Sequence, residues 1–150
     1  GILYEKRKVT DAEIYEPMSW YVAFCDNLGI AIPKEGGKKK RNNLALCRKR
    51  VVSDVLKKMA MGSDDEKKNF KKLLCFYLIN FFNEAPADDK GAAHYFVTVA
   101  DLEKFEKIFW AKAMLDNIIH CATNVVQKNQ TYITCPAPVV EVFGSSILCD

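Results

Sequence analysis

SDDEKKNFKKLLCFYLINFF, residues 63–82, decides the fold class. Ser63-Asp64-Asp65-Glu66 has the form of a capping box, in which the serine hydroxyl and the glutamate carboxylate each take a backbone amide at a helix start. Its acids fall where the helix dipole favours them. Beyond it Phe70, Leu73, Leu74, Tyr77, Leu78 and Phe81 recur at helical steps. The first turns are amphipathic and the later turns apolar all round, which predicts a helix in the middle of a domain. The apolar run from Leu73 to Ile79, extended past Asn80 by Phe81 and Phe82, is far short of the roughly 20 residues that cross a bilayer. It reads as a core helix, and no membrane partner is expected.

The same periodicity continues outward. Upstream, Asn43 is placed to cap a helix. Leu44, Cys47, Val51, Val52, Val55, Leu56 and Met59 carry its apolar face to Gly62. Thr10-Asp11-Ala12-Glu13 is another capping box. Pro17 is expected to end that short helix or restart it as a first-turn proline. A further helix then runs from Met18 to Leu28, with Trp20, Phe24 and Leu28 on one face, Tyr21 and Cys25 beside them, and Gly29 as left-handed terminator. Downstream, residues 84–97 read as a loop. Thr98 or Asp101 then opens the longest helix, whose apolar face includes Leu102, Phe105, Ile108, Phe109, Leu115, Ile118, Ile119, Ala122, Val125 and Val126. It runs about seven turns, to Gln127. In the tail, 131–150, residues 139–143 fit either a strand or the first turns of a helix. A chain of 150 residues is one domain by the usual prior. It is long enough to bury roughly two thirds of its unfolded surface. The expectation is a single all-α domain, 1–150, of five or six helices around the central apolar one, with a basic loop at 34–43.

Charge is distributed unevenly. Residues 34 to 72 hold fourteen Lys or Arg and five Asp or Glu, a net of +9, whereas the whole chain nets only +3. The densest cations are Lys38, Lys39, Lys40 and Arg41, then Arg48, Lys49 and Arg50. Such density attracts phosphate, acidic proteins or a nuclear import receptor, and also suits a plain solvated surface. These seven residues are the candidate contact site.

Chemistry is harder to find. A metal site needs converging Cys or His. The chain has only His94 and His120, and His120-Cys121 diverge by about 100° on a helix. No local signature supports a Cys–His nucleophile pair, and Asp64-Asp65 and Asp88-Asp89 read as helix capping and loop solvation. Gly36-Gly37-Lys38-Lys39 lacks the full phosphate-loop pattern. The aromatic stripe is at core spacing rather than arranged as a stacking platform. The expectation is no catalytic residue, no cofactor and no metal. Cys25, Cys47, Cys75, Cys121, Cys135 and Cys149 form no CxxC pair. Most sit in apolar helical segments and read as reduced intracellular thiols. The first residues are charged from Glu5 and lack a signal-peptide pattern.

KNFKKLLCFYLINFFNEAP (68–86) and VADLEKFEKIFWAKAMLDNIIHCA (99–122) resemble plant mobile domain proteins and their transposon-derived relatives. Asp101, Leu102, Trp110 and Ala111 stand at the places of a D-L-x-x-x-x-x-x-W-A motif, with a one-residue difference in spacing. Residues 27–33 with Gly36-Gly37 resemble the family's LGLP…GG segment, although IAIP and a polybasic loop follow Gly29 here. Tyr132-Ile133 and Cys135 are similar to the segment after its long helix. The resemblance implies an all-helical, nuclear, non-catalytic module that acts through protein partners in transposon biology or gene silencing. It carries over no catalytic residues. The leading expectation is therefore a non-enzymatic nuclear protein–protein interaction module, nuclear or cytoplasmic in location. One alternative is a nucleic-acid-binding module using residues 34–58. Another is a secreted, disulfide-bonded effector or toxin-like protein.

Overall fold

In a computed structural model, described over residues 1–30, 43–84 and 89–129, every regular element among the described residues is helical. Thr10 opens α1 (Asp11–Asn27): its hydroxyl accepts the Glu13 amide, and the Glu13 carboxylate accepts the Thr10 amide at 2.8 Å. The expected stop at Pro17 does not occur, and α1 runs straight through it. An interior proline removes one helix hydrogen bond and costs about 3 kcal/mol. What offsets it is one apolar stripe, Ile14, Met18, Tyr21 and Cys25, that continues across the proline into the core. The buried face is displaced from the expected one: Tyr21 and Cys25 are enclosed, Trp20 and Phe24 half-buried, and Leu28 exposed. Gly29, at φ +67°, ends the helix as its sequence position predicts.

Residues 43–59 form two pieces instead of one capped helix. A 3₁₀ turn (Asn43–Cys47) is followed by extended Arg48 and then by α2 (Lys49–Lys58). The break comes from across the chain. The Lys49 N–H donates to the Asp89 carbonyl at 2.8 Å, and the Gly91 N–H to the Cys47 carbonyl at 3.0 Å. Residues 89–91 thus engage groups that a continuous helix would pair internally. Leu46, Cys47, Val52 and Val55 are buried, while Leu44, expected on the apolar face, is exposed.

Ser63 opens α3 (Asp64–Leu78) through the predicted capping box. The Glu66 carboxylate accepts the Gly62 and Ser63 amides at 2.8 and 3.0 Å. After Leu78 the helix widens into a π-helical segment (Ile79–Glu84). Asn80, only 1% exposed, sits at the widening. Its Nδ2 donates to the Phe76 carbonyl at 3.0 Å, and its Oδ1 accepts the Ala92 amide at 2.6 Å. Leu73, Phe76 and Ile79 face the core, but Leu74, Leu78 and Phe82 stay exposed. This helix is therefore not enclosed on every side.

The loop expected over 84–97 is shortened by α4 (Tyr95–Ala100), which buries Tyr95, Phe96 and Val99. The Phe96 ring stands 4.2 Å from Phe76 and 5.3 Å from Tyr21, centroid to centroid. The predicted seven-turn helix opens at Asp101, one of its two expected starts, and is broken once. Asp101 caps α5 (Leu102–Lys107), its Oδ1 accepting the Lys104 amide at 3.0 Å. Ile108 then turns extended before α6 (Trp110–Lys128). The break at Ile108 is made by the N-terminal residues. Ile2 donates to the Lys107 carbonyl and accepts from the Phe109 amide, both at 2.8 Å. The core thus lies between α1, α2, α3 and α4, with α6 packed on the π-helical segment. Among the described residues no helix is long and apolar enough to cross a membrane.

Candidate functional site

Of the cations singled out from the sequence, Arg48, Lys49 and Arg50 stand together at the amino end of α2. Lys38, Lys39, Lys40 and Arg41 lie outside the described residues. Arg48 is the extended residue before α2, and Lys49 and Arg50 are its first two residues. All three side chains are exposed. Among the described residues, none of them forms an ion pair. No acid occupies the first turn of α2. Cations at a helix amino terminus oppose the macrodipole, at about 0.3–1 kcal/mol each when exposed. Local helix stability therefore does not account for this placement.

Arg48 and Arg50, with Lys58 two turns further along α2, line a cleft of about 610 Å³. Its apolar lining is Ile30, beyond α1, Ala45 and Leu46 from the 3₁₀ turn, and Val51 of α2. Leu46 is buried, and the other three are half-buried, so apolar surface remains open to the cleft. Asp54 and Asp89 line it as well, and neither forms an ion pair with these cations. Arg50, Asp54 and Lys58 follow at four-residue steps and so share one face of α2. That spacing was readable in the sequence. Asp89 and Ile30 were not, because only folding brings them to α2.

The thiols give little chemistry. Cys25 and Cys47 are buried free thiols. Burial pushes Cys25 up to about 11 and Cys47 up to about 12. Beside them the Tyr21 hydroxyl donates to the Leu46 carbonyl at 2.7 Å, and burial raises it too. All three stay protonated at neutral pH, and a protonated thiol is a poor nucleophile. Cys75 is half-buried and shifted the same way by burial. His94 packs on the Tyr95 ring at 4.2 Å, while His120 sits exposed on α6 beside Asn124. Among the described residues no group of His, Cys, Asp and Glu is placed to hold a metal ion.

The motif residues behind the family resemblance have structural work. Asp101 caps α5. The Trp110 indole donates to the Phe105 carbonyl at 2.9 Å, and its ring lies tilted against Tyr4 with centroids 5.2 Å apart. Gly36, Gly37, Tyr132, Ile133 and Cys135 lie outside the described residues. In comparisons with known proteins, no family model, no curated protein and no solved structure matches the chain.

Proposed function

We propose that this chain is a non-catalytic protein–protein interaction module that works in the nucleus and meets an acidic surface of its partner through Arg48, Lys49 and Arg50. Lys38, Lys39, Lys40 and Arg41 belong to the same charged contact. The observation that carries the reading is the set of exposed cations, in no ion pair among the described residues, held at the amino end of α2 against the helix dipole. Cations so placed lose little solvation on meeting a carboxylate and steer an acidic partner from a distance. Two further points support it. The buried thiols are held protonated, which removes the nearest candidates for nucleophilic work. The plant mobile domain resemblance implies nuclear, partner-mediated work.

The test is the triple reversal Arg48→Glu, Lys49→Glu, Arg50→Glu. The variant should keep its helical circular dichroism, with a melting temperature no lower than the parent's, since the changed side chains are solvated and acids suit the amino end of α2. Its affinity for immobilised poly-glutamate should fall by more than about tenfold, and a fluorescent fusion should no longer concentrate in nuclei. Unchanged binding and localisation would reduce the cluster to a solvated surface. Tighter binding to a DNA duplex than to poly-glutamate, with affinity falling steeply in salt, would transfer the site to nucleic acid.

A further inference from the structure

The cleft below these cations offers apolar surface as well as charge, and poly-anion attraction leaves that surface unused. We infer that the partner segment is an acidic peptide carrying one large apolar side chain. That side chain seats on Ile30, Ala45 and Val51, while carboxylates on either side of it meet Arg48, Arg50 and Lys58. The inference rests on the interaction-module reading and narrows it. A cleft of about 610 Å³ has room for one such anchor and its flanking backbone. An apolar anchor in a pocket with a polar rim is the usual form of a binding hot spot.

The two acids in the cleft define the spacing. Arg50 and Lys58 lie eight residues apart on α2, about 12 Å along its axis, with Asp54 between them. Asp89 adds a second carboxylate to the lining. A duplex strand, with one phosphate per ~3.4 Å of helix axis, brings charge against Asp54 when it spans both cations. A peptide meets the pattern by leaving an uncharged stretch between its acids, and the apolar anchor belongs in that stretch.

The experiment uses the full chain and three fluorescein-labelled probes. The first is an eight-residue peptide with three Glu on each side of a central Ser-Trp pair. The second replaces that pair with Ser-Ser. The third is a single-stranded oligonucleotide of the same net charge. Fluorescence anisotropy should give the Ser-Trp peptide at least about tenfold tighter binding than the Ser-Ser peptide, the effect of burying one large apolar side chain. Val51→Gln should remove that preference while leaving Ser-Ser binding unchanged. Ala45→Gln serves the same purpose should Val51→Gln lose its helical circular dichroism. Equal binding of the two peptides, both abolished by the Arg48, Lys49 and Arg50 reversal, would overturn the anchored-peptide inference and leave the basic-face reading standing. Binding of neither peptide at low salt would overturn both. Tighter binding of the oligonucleotide than of either peptide would also overturn the inference.

Discussion

Gly91 passes so close to the 3₁₀ turn that a Cβ built on it would lie 2.6 Å from the Cys47 carbonyl oxygen and 3.2 Å from the Phe81 ring. That oxygen accepts the Gly91 amide, so it cannot retreat without losing the bond that joins residues 89–91 to the start of α2. Gly91→Ala should therefore destabilise the fold by about 1–3 kcal/mol, read as a lower urea midpoint at unchanged slope. An unchanged midpoint would mean that the contact yields freely. Asn80, on the other side of Gly91, joins the same strip of chain to the π-helical segment. Asn80→Leu keeps the volume but strands the Ala92 amide, and a loss of about 1–3 kcal/mol is expected from the same measurement. Asn80 is visible in the sequence as a polar break in an apolar run. Its partner, twelve residues on, is not visible there. Gly91 reads only as loop punctuation, because a close approach is a property of packing and leaves no local pattern.

Helix starts capped by a side chain are legible in this sequence, and helix breaks and uncapped starts are not. Both capping boxes are complete within four residues, so their chemistry is written locally. The breaks at Arg48 and at Ile108 are made by residues 89–91 and by Ile2, distant in sequence. Apolar periodicity runs through both breaks, because each side of a break faces the same core. Pro17 errs the other way: a strong local stop is overridden by a continuous buried stripe. Pro17→Ala restores a helix hydrogen bond but frees the unfolded chain, so a net gain of about 2 kcal/mol is expected in urea unfolding. A loss would mean that the proline shapes α1 to fit its neighbours. The boxes also set an acid response. The Ser63 and Gly62 amides hold the Glu66 carboxyl below its ordinary value, and the Thr10 amide followed by the Arg7 side chain does the same for Glu13. A carboxyl lowered in the folded state binds fewer protons there than in the unfolded chain. Its contribution is complete above the ordinary glutamate value, about 4.3, and is lost as pH falls through the lowered folded value. Urea midpoints should therefore drop on acidification from about pH 5. Glu66→Gln keeps the amide acceptor without the titration, so it should make that drop shallower. An identical pH profile would show that the box carries no linked proton.

On the scale of the molecule, the candidate site is half legible. The cations stand out in the sequence because charge needs no fold to be counted. The apolar lining of the cleft is assembled from Ile30, Ala45, Leu46 and Val51, which share no sequence pattern. The same division applies to the architecture. The all-α class follows from periodicity and capping, but the way α5 and α6 attach does not. The main core joins α1, α2, α3 and α4, while α5 and α6 are tied on by separate contacts. Ile2 pairs with the backbone around Ile108. Tyr4 lies against both Tyr95 and Trp110, and Lys71 of α3 forms an ion pair with Glu106 of α5. That ion pair is exposed on both sides and contributes little. The N-terminal residues therefore share the attachment with Phe105 and Trp110, which pack against the core, and with the seat of α6 on the π-helical segment. Tyr4→Ala should cost about 2 kcal/mol, since it removes a half-buried ring and its two aromatic contacts. The loss should fall unevenly. Under native-state hydrogen exchange, amides at 108–113 should lose protection first, through an opening that frees α5 and α6 while the core stays closed. Amides of α1 and α3 should respond only through the global unfolding reaction. An equal rise in exchange along every helix would show that the attached helices and the core open as one unit.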